Sequence, residues 1–87
     1  LFRSVDRVEY NRLRWHCRRG MLENDLLLER FMERHGEELE GERLEAFRQL
    51  LSLDDGTLWD LLSGRSFTED PAQAEVARLI EACRPLA

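Results

Sequence analysis

Residues 14–25 read RWHCRRGMLEND and join two segments that have helical patterns. Gly20 follows a run of good helix formers and precedes an apolar-rich run, where a glycine closes a helix in a left-handed conformation without steric cost. The charges agree with the helix dipole, with cations in the predicted last turn before the corner and anions in the first turn after it: Arg18 and Arg19, then Glu23 and Asp25. The stretch predicts a helix–corner–helix unit around which the rest of the chain is arranged.

The composition indicates one small folded domain. The 87 residues are 43% hydrophobic and 36% charged, which is typical of a globular chain rather than a disordered one. A chain of this length forms one domain, taken here as residues 1–87, and leaves little room for an enclosed active site. No apolar run approaches the roughly 18–20 residues that span a bilayer, so we expect a soluble protein without membrane insertion.

Charge is distributed unevenly along the chain. Residues 1–20 carry six arginines and two acids, a net charge of +4, whereas residues 21–87 carry seven arginines and sixteen acids, a net charge of −9. The total of −5 argues against nucleic-acid binding, because neutralising phosphates requires a basic surface. We therefore expect the basic end to meet an acidic patch on another protein.

Cysteine content bears on the compartment. Cys17 and Cys83 are too few for a disulfide framework, which indicates a reducing environment. The chain begins at Leu1 and shows no pattern of a secretory signal. We expect a cytoplasmic protein, or one of the mitochondrial matrix if a cleaved targeting segment is missing.

Hydrophobic spacing and end signals predict five short helices and no strand, an all-α five-helix bundle. The clearest start is Asp70-Pro71, a capping residue and a proline at the first helical position, with Gln73 three residues after the cap. The predicted helices are about 6–19; 22–35, ended by Gly36; near Gly41 to about Ser52; a short one after the turn at 54–57, closed by Gly64; and Pro71 to about Arg84, which Pro85 helps to end.

The first helix has two distinct faces. At 100° per residue, one face is assigned to the core and carries Tyr10, Leu13 and Cys17. The roughly opposite face carries Val5, Val8, Arg12, Trp15, His16 and Arg19. Large aromatic residues are usually buried, yet Trp and Arg are also enriched in binding hot spots. This face is therefore either covered by the domain or kept for a partner.

The second helix is expected to be the central one. It carries a broad apolar face and a second, smaller patch formed by Leu22 and Leu26. In the polar loop 65–69, Phe67 is expected to point inward. Helical spacing assigns six residues to the core: Leu27, Phe31, Phe47, Leu51, Leu62 and Leu79.

No residue pattern supports catalysis. The chain has no glycine-rich phosphate loop after a strand and no nucleophile motif, and its histidines and cysteines lack the spacing of zinc ligands. His16 and Cys17 are adjacent, but neighbours on a helix point about 100° apart and do not face each other. We expect no enzyme activity, no catalytic residue and no metal site.

The run Arg19-Gly20-Met21-Leu22-Glu23 lies within a longer pattern. Here the chain resembles the succinate dehydrogenase assembly factors that promote covalent attachment of FAD to the flavoprotein subunit, whose signature is Arg-Gly followed two residues later by Glu. The long form of the motif is matched at Arg12, Trp15, Cys17, Arg18, Arg19, Gly20, Met21, Glu23 and Asp25. The resemblance continues through Leu50-Leu51, Asp54-Asp55, Leu58-Trp59 and Arg78-Leu79-Ile80, so it covers nearly the whole chain.

The resemblance implies a chaperone-like adaptor that binds the flavoprotein subunit of succinate dehydrogenase or fumarate reductase. It implies that FAD belongs to the partner, whose own histidine bonds to it, and that this chain binds no cofactor tightly by itself. Partner binding is expected at Arg12, Trp15, Arg18, Arg19, Gly20, Glu23 and Asp25. The chain departs from the family at Glu40-Gly41, where the family often has a Ser or Thr cap.

Two other classes of function remain open at this point. Members of the same family have also been labelled antitoxins of a toxin–antitoxin pair, and a small acidic bundle suits the neutralisation of a partner. A general protein-interaction domain is the second alternative. The three readings differ in the protein that should co-purify, since only an assembly factor should bring down a large flavoprotein.

Overall fold

A computed structural model of the chain describes residues 6–84, and within them it shows five α-helices, one 3-10 turn and no strand. The elements are α1 (Arg7–His16), α2 (Leu22–His35), the 3-10 turn (Gly36–Glu38), α3 (Gly41–Leu51), α4 (Asp55–Leu62) and α5 (Pro71–Glu81). The all-α prediction is confirmed. Val5 and Pro85, which entered the predictions for α1 and α5, lie outside the described residues.

Local capping explains where three helices begin. The side chain of Asp6 accepts a hydrogen bond from the backbone N–H of Glu9 at 2.7 Å, and Asp54 caps α4 in the same way. The predicted Asp70 cap of α5 accepts from the N–H of Ala72 at 2.9 Å. These bonds satisfy donors that a helix N-terminus leaves without partners. By contrast, α3 begins after Glu40 with no side-chain cap, as the departure at this position predicts.

Two helices end earlier than predicted. The first ends at His16, so the prediction that Arg18 and Arg19 form its last turn is wrong. The N–H of Cys17 is shared between two carbonyls of the last turn, and the chain then leaves the helix path. The fifth ends at Glu81 rather than Arg84. The fourth begins at Asp55, inside the stretch 54–57 that was predicted as a turn, because Asp54 caps it there. It ends at Leu62 and is followed by the predicted closing residue Gly64, whose φ is +85°.

The core lies where α5 packs against α2, α3 and α4. The rings of Phe31 on α2 and Phe47 on α3 lie 4.9 Å apart between centroids, and neither side chain is exposed. Four of the six predicted core residues are buried, namely Leu27, Phe31, Phe47 and Leu62. The other two, Leu51 and Leu79, are partly buried residues packed against the core, because each lies at the edge of its helix face.

Phe67 is the clearest error among the predicted inward residues. Its side chain is 87% exposed, because the loop after α4 places it outside the bundle. The leucines of the second apolar patch on α2 are exposed as well. Four of the five large exposed apolar residues in the described range therefore lie on α1 and α2: Val8, Trp15, Leu22 and Leu26.

A close contact at Gly36 fixes the position of α1 against the end of α2. A Cβ atom at this glycine would lie 2.7 Å from Cε2 of Tyr10 and 2.9 Å from the Cε of Met32. Its φ of −57° is ordinary, so the glycine is needed for space and not for a left-handed turn. Leu13 and Cys17 complete the buried face of α1, as predicted. Within residues 6–84, no helix has the length and apolar character needed to cross a membrane.

Candidate functional site

The outward side of α1 and the turn that follows it carry unpaired cations around an exposed tryptophan. Trp15 is 73% exposed, and Val8 beside it on the same face is exposed too. The exposed guanidinium groups of Arg12, Arg14 and Arg18 form no ion pair with any residue of the described range. The sequence left open whether this face is covered by the domain, and the structure leaves it uncovered.

The corner between α1 and α2 is held by Asp25. Its Oδ1 accepts a hydrogen bond from the backbone N–H of Arg19 at 2.8 Å, and its Oδ2 accepts from the N–H of Gly20 at 3.2 Å. Gly20 has a φ of +102°, a conformation that residues with a side chain rarely adopt. The Asp25 carboxylate, in the first turn of α2, thus ties the backbone of the corner to the start of that helix. Asp25 was predicted to contact the partner, and both of its oxygens are used inside the domain.

Arg19 points into the domain rather than outward. Its Nε lies 2.6 Å from Oδ1 of Asp55, and its terminal nitrogens donate to the carbonyl oxygens of Leu51 and Leu53. The carbonyl of Leu51 lies at the C-terminal end of α3, which carries negative partial charge, and Leu53 lies two residues beyond that end. The side chain is 14% exposed. Its placement on the outward face of α1 is therefore wrong, because α1 ends three residues earlier and frees the side chain to turn inward.

A fully buried polar residue, Asn24, supports the same corner. Its Nδ2 donates to the backbone carbonyl of Asp55 at 3.1 Å. Its Oδ1 has no hydrogen-bond partner. Sequence reasoning missed this residue, although a signal was present, because Asn24 precedes the buried Leu27 and Leu28 by three and four residues and shares their face. We call Arg19, Asn24, Asp25 and Asp55 the corner network.

The seven predicted partner-binding residues thus fall into two groups. Arg19 and Asp25 belong to the corner network and shape the loop from within. The other five are exposed around the corner: Arg12, Trp15, Arg18, Gly20 and Glu23. Glu23 makes no hydrogen bond or ion pair through its side chain in the described range, so its carboxylate remains available to donors on another molecule.

Both cysteines are buried in surroundings that favour the neutral thiol. Cys17 is 3% exposed, and burial raises the pKa of its thiol to about 12 even though the charges of Arg14 and Arg19 act in the opposite direction. Burial raises the pKa of the Cys83 thiol as well. Both therefore stay protonated near neutral pH, whereas nucleophilic and metal-binding cysteines act as thiolates. No cluster of potential metal ligands occurs among residues 6–84.

Comparisons with known proteins agree on one family. Residues 11–84 match the family described as the flavinator of succinate dehydrogenase. The chain is 44% identical over 69 residues to the FAD assembly factor SdhE of Idiomarina loihiensis, covering 79% of this chain and 77% of that protein. It is 43% identical over 70 residues to that of Coxiella burnetii, covering 80% and 85%, and 40% identical over 81 residues to that of Legionella pneumophila, covering 91% and 99%. No solved structure matches the chain.

Proposed function

The chain belongs to the family described as the flavinator of succinate dehydrogenase, and we propose that it promotes covalent attachment of FAD to the flavoprotein subunit of that enzyme. In this proposal it is an assembly factor and not itself an enzyme. The bond to FAD is made by a histidine of the flavoprotein subunit, while this chain holds the subunit in the conformation that permits the reaction. The chain binds no FAD tightly by itself.

The observation that carries the proposal is the exposed group of five residues around a corner that the domain holds from within. Interfaces obtain most of their binding energy from a few residues, among which Trp and Arg are over-represented. Trp15 and the guanidinium groups of Arg12 and Arg18 supply such residues, and none of these side chains has a polar partner in residues 6–84. Because the corner network is already formed, the backbone of the corner loses little conformational entropy when a partner binds.

Gly20 and Glu23 extend this surface beyond α1. A Cβ atom at Gly20 would meet no atom of the described chain within 4 Å, so the space in front of this backbone is open to a partner. The Glu23 carboxylate, in the first turn of α2, can accept hydrogen bonds from donors of the flavoprotein subunit. The two positions together suit a partner backbone that approaches the corner closely.

The experiment that tests the proposal is the substitution Glu23→Ala, with Glu33→Ala as its matched control. Both glutamates are exposed on α2 and make no side-chain contact of a polar kind in the described range. Each substitution should change the free energy of unfolding by at most about 0.5 kcal/mol. Covalent flavin on the subunit, seen as fluorescence on a denaturing gel, should fall with Glu23→Ala and persist with Glu33→Ala. Equal flavinylation by both variants would contradict the docking role of Glu23.

The proposal also covers a second target, the working compartment and the extent of the domain. The flavoprotein subunit of fumarate reductase is a second target, the working compartment is the bacterial cytoplasm rather than the mitochondrial matrix, and residues 1–87 act as one domain. The bacterial sources of the relatives support the compartment. Affinity purification from a cell that contains both enzymes distinguishes the targets. Recovery of a small toxin-like protein in place of a flavoprotein would favour the antitoxin reading, and recovery of unrelated proteins would favour a general interaction domain.

A further inference from the structure

A furrow of about 300 Å³ runs between α1 and α2, next to the corner. Its floor is formed by the buried side chains of Cys17 and Met32. Leu22 and Leu26 form part of its α2 wall, and Arg14 and Arg18 stand on the α1 side. The sequence analysis placed these leucines in a second apolar patch, and the function proposed above does not use them.

The two leucines are unusual because they remain in contact with water. Leu22 is 68% exposed and Leu26 is 43% exposed, and their spacing of four residues places them on one face of α2. Burying such side chains is favourable by about 25 cal/mol per Å² of apolar area removed from water. Contiguous exposed apolar surface with a polar rim is typical of a contact site for another molecule. The furrow therefore has an apolar wall, and covering that wall with another molecule would be favourable.

The charges around the furrow indicate what should cover it. Arg14 and Arg18 form no ion pair in the described range. Asp25 also lines the furrow, but its two oxygens already accept the N–H groups of the corner. Glu29 is the remaining acid of the lining. The formal charges of the lining balance, but the two cations stand on the α1 side and both acids belong to α2. The guanidinium groups of Arg14 and Arg18 are therefore unpaired donors that can bind a carboxylate of another molecule.

We propose that the furrow binds a segment of the flavoprotein subunit in which an apolar side chain lies beside a carboxylate. This inference rests on the proposed function and names the partner chemistry that the surface beside the corner would recognise. The apolar side chain packs against Leu22 and Leu26, and the carboxylate pairs with Arg14 and Arg18. A cavity of about 150 Å³ holds a benzene molecule, so about 300 Å³ accommodates an aromatic or branched side chain.

A protein segment suits this site better than a small molecule. Binding pockets for small molecules enclose most of the surface of their ligand, whereas Leu22 at the rim of this furrow is largely exposed. The furrow opens beside Gly20 and Glu23, since Arg18 and Leu22 flank the corner in sequence. A partner that docks on the corner can therefore fill the furrow in the same binding event.

The test measures the dissociation constant for the purified apo-flavoprotein subunit by isothermal titration calorimetry. Two double variants remove the two parts of the site: Leu22→Ser with Leu26→Ser, and Arg14→Glu with Arg18→Glu. The controls are Phe67→Ser, which changes another exposed apolar residue, and Arg65→Glu, which reverses another exposed cation. We expect each double variant to bind at least about tenfold more weakly and each control to bind within about twofold of the parent. Melting temperatures from circular dichroism verify that all variants remain folded.

The outcomes separate this inference from the proposed function. If the leucine variant binds like the parent while Glu23→Ala binds weakly, the furrow assignment is wrong and the assembly function stands. If the parent chain neither binds the subunit nor supports flavinylation, the proposed function fails and the furrow proposal fails with it. Binding to anionic lipid vesicles that both double variants abolish, with unchanged binding to the subunit, would assign the furrow to a membrane surface instead.

A photo-crosslinking amino acid at Leu26 identifies the occupant directly. The proposal expects a crosslink to a peptide of the flavoprotein subunit that contains both an apolar residue and an Asp or Glu within a few residues. The same group placed at Phe67 serves as the control and should not label that peptide. A crosslink from Leu26 to a peptide without an acid, or to a second copy of this chain, would overturn the proposal.

Discussion

Replacing Arg19 by alanine should weaken the whole domain, although this residue belongs to the motif that defines the family resemblance. The substitution removes the ion pair with Asp55 and two charged hydrogen bonds to the carbonyls of Leu51 and Leu53. An exposed ion pair contributes about 0–1 kcal/mol, and breaking a buried one costs about 3–5 kcal/mol. The side chains of Arg19 and Asp55 are 14% and 35% exposed, which lies between these cases. We expect a loss of about 2–3 kcal/mol in the free energy of unfolding, within the range of hydrogen bonds to charged groups.

The assay is urea unfolding followed by circular dichroism, together with thermal melts. A loss of about 2–3 kcal/mol corresponds to a fall of about 8–24 °C in melting temperature for a domain of this size. Arg18→Ala is the matched control, because Arg18 is the adjacent arginine, is exposed and forms no ion pair in residues 6–84. Its substitution should change stability by at most about 0.5 kcal/mol. Flavinylation should fall with both variants. Arg19→Ala should reduce it by destabilising the domain, and Arg18→Ala should reduce it by removing an exposed docking residue.

A double-mutant cycle measures how much of the stability loss comes from the contact between Arg19 and Asp55. Asp55→Ala removes one of the three partners of Arg19, and the two substitutions together should show a coupling energy of about 1 kcal/mol, as for other residues in direct contact. Arg19→Lys should recover only part of the stability, because a lysine lacks the fork of donors that reaches two carbonyls and a carboxylate together. An Arg19→Ala protein less than about 0.5 kcal/mol below the parent would refute the inward role of this side chain and restore it to the docking surface.

Four further predictions concern other parts of the chain. Phe47→Ala should cost about 3–5 kcal/mol in urea unfolding because the ring is fully buried against Phe31, and a loss below about 1 kcal/mol would contradict the core assignment. The double variant Cys17→Ala, Cys83→Ala should stay folded and support flavinylation, and a folded variant that fails in the gel assay would contradict the inert role of these thiols. Gly20→Ala should cost about 1 kcal/mol through its positive φ alone, since its methyl group meets no atom of the described chain, and an unchanged melting temperature would refute the conformational argument. Hydrogen bonds from the hydroxyl and the backbone N–H of Thr57 hold the pKa of the Asp54 carboxyl below its ordinary value, so its contribution to stability is present above the unfolded pKa and is lost as the pH falls through the folded pKa. The difference in stability between the parent and Asp54→Ala should therefore shrink in acid, and a difference independent of pH would contradict it.

Most helix starts and most helix ends follow from the sequence because their causes are local. The Asp70-Pro71 start depends on atoms within three residues, and the cap at Asp54 has the same short range. Core positions such as Phe31 and Phe47 follow from their helical spacing. The errors concern side chains at the edges of elements. Phe67 follows a turn that leaves it outside the bundle, and its apolar character alone indicated burial.

The sequence by itself determined the all-α class, the five helices and the corner at Gly20, since each depends on residues that are close along the chain. Only the tertiary structure decided which side of the motif faces a partner. Arg19 reaches carbonyls and a carboxylate 32 to 36 residues away, and Asn24 meets the backbone of a residue 31 positions later. A charged side chain at a helix end is compatible with solvent, a partner or an internal acceptor. The choice depends on the acceptors that packing brings within reach, and helical periodicity carries no information about that packing.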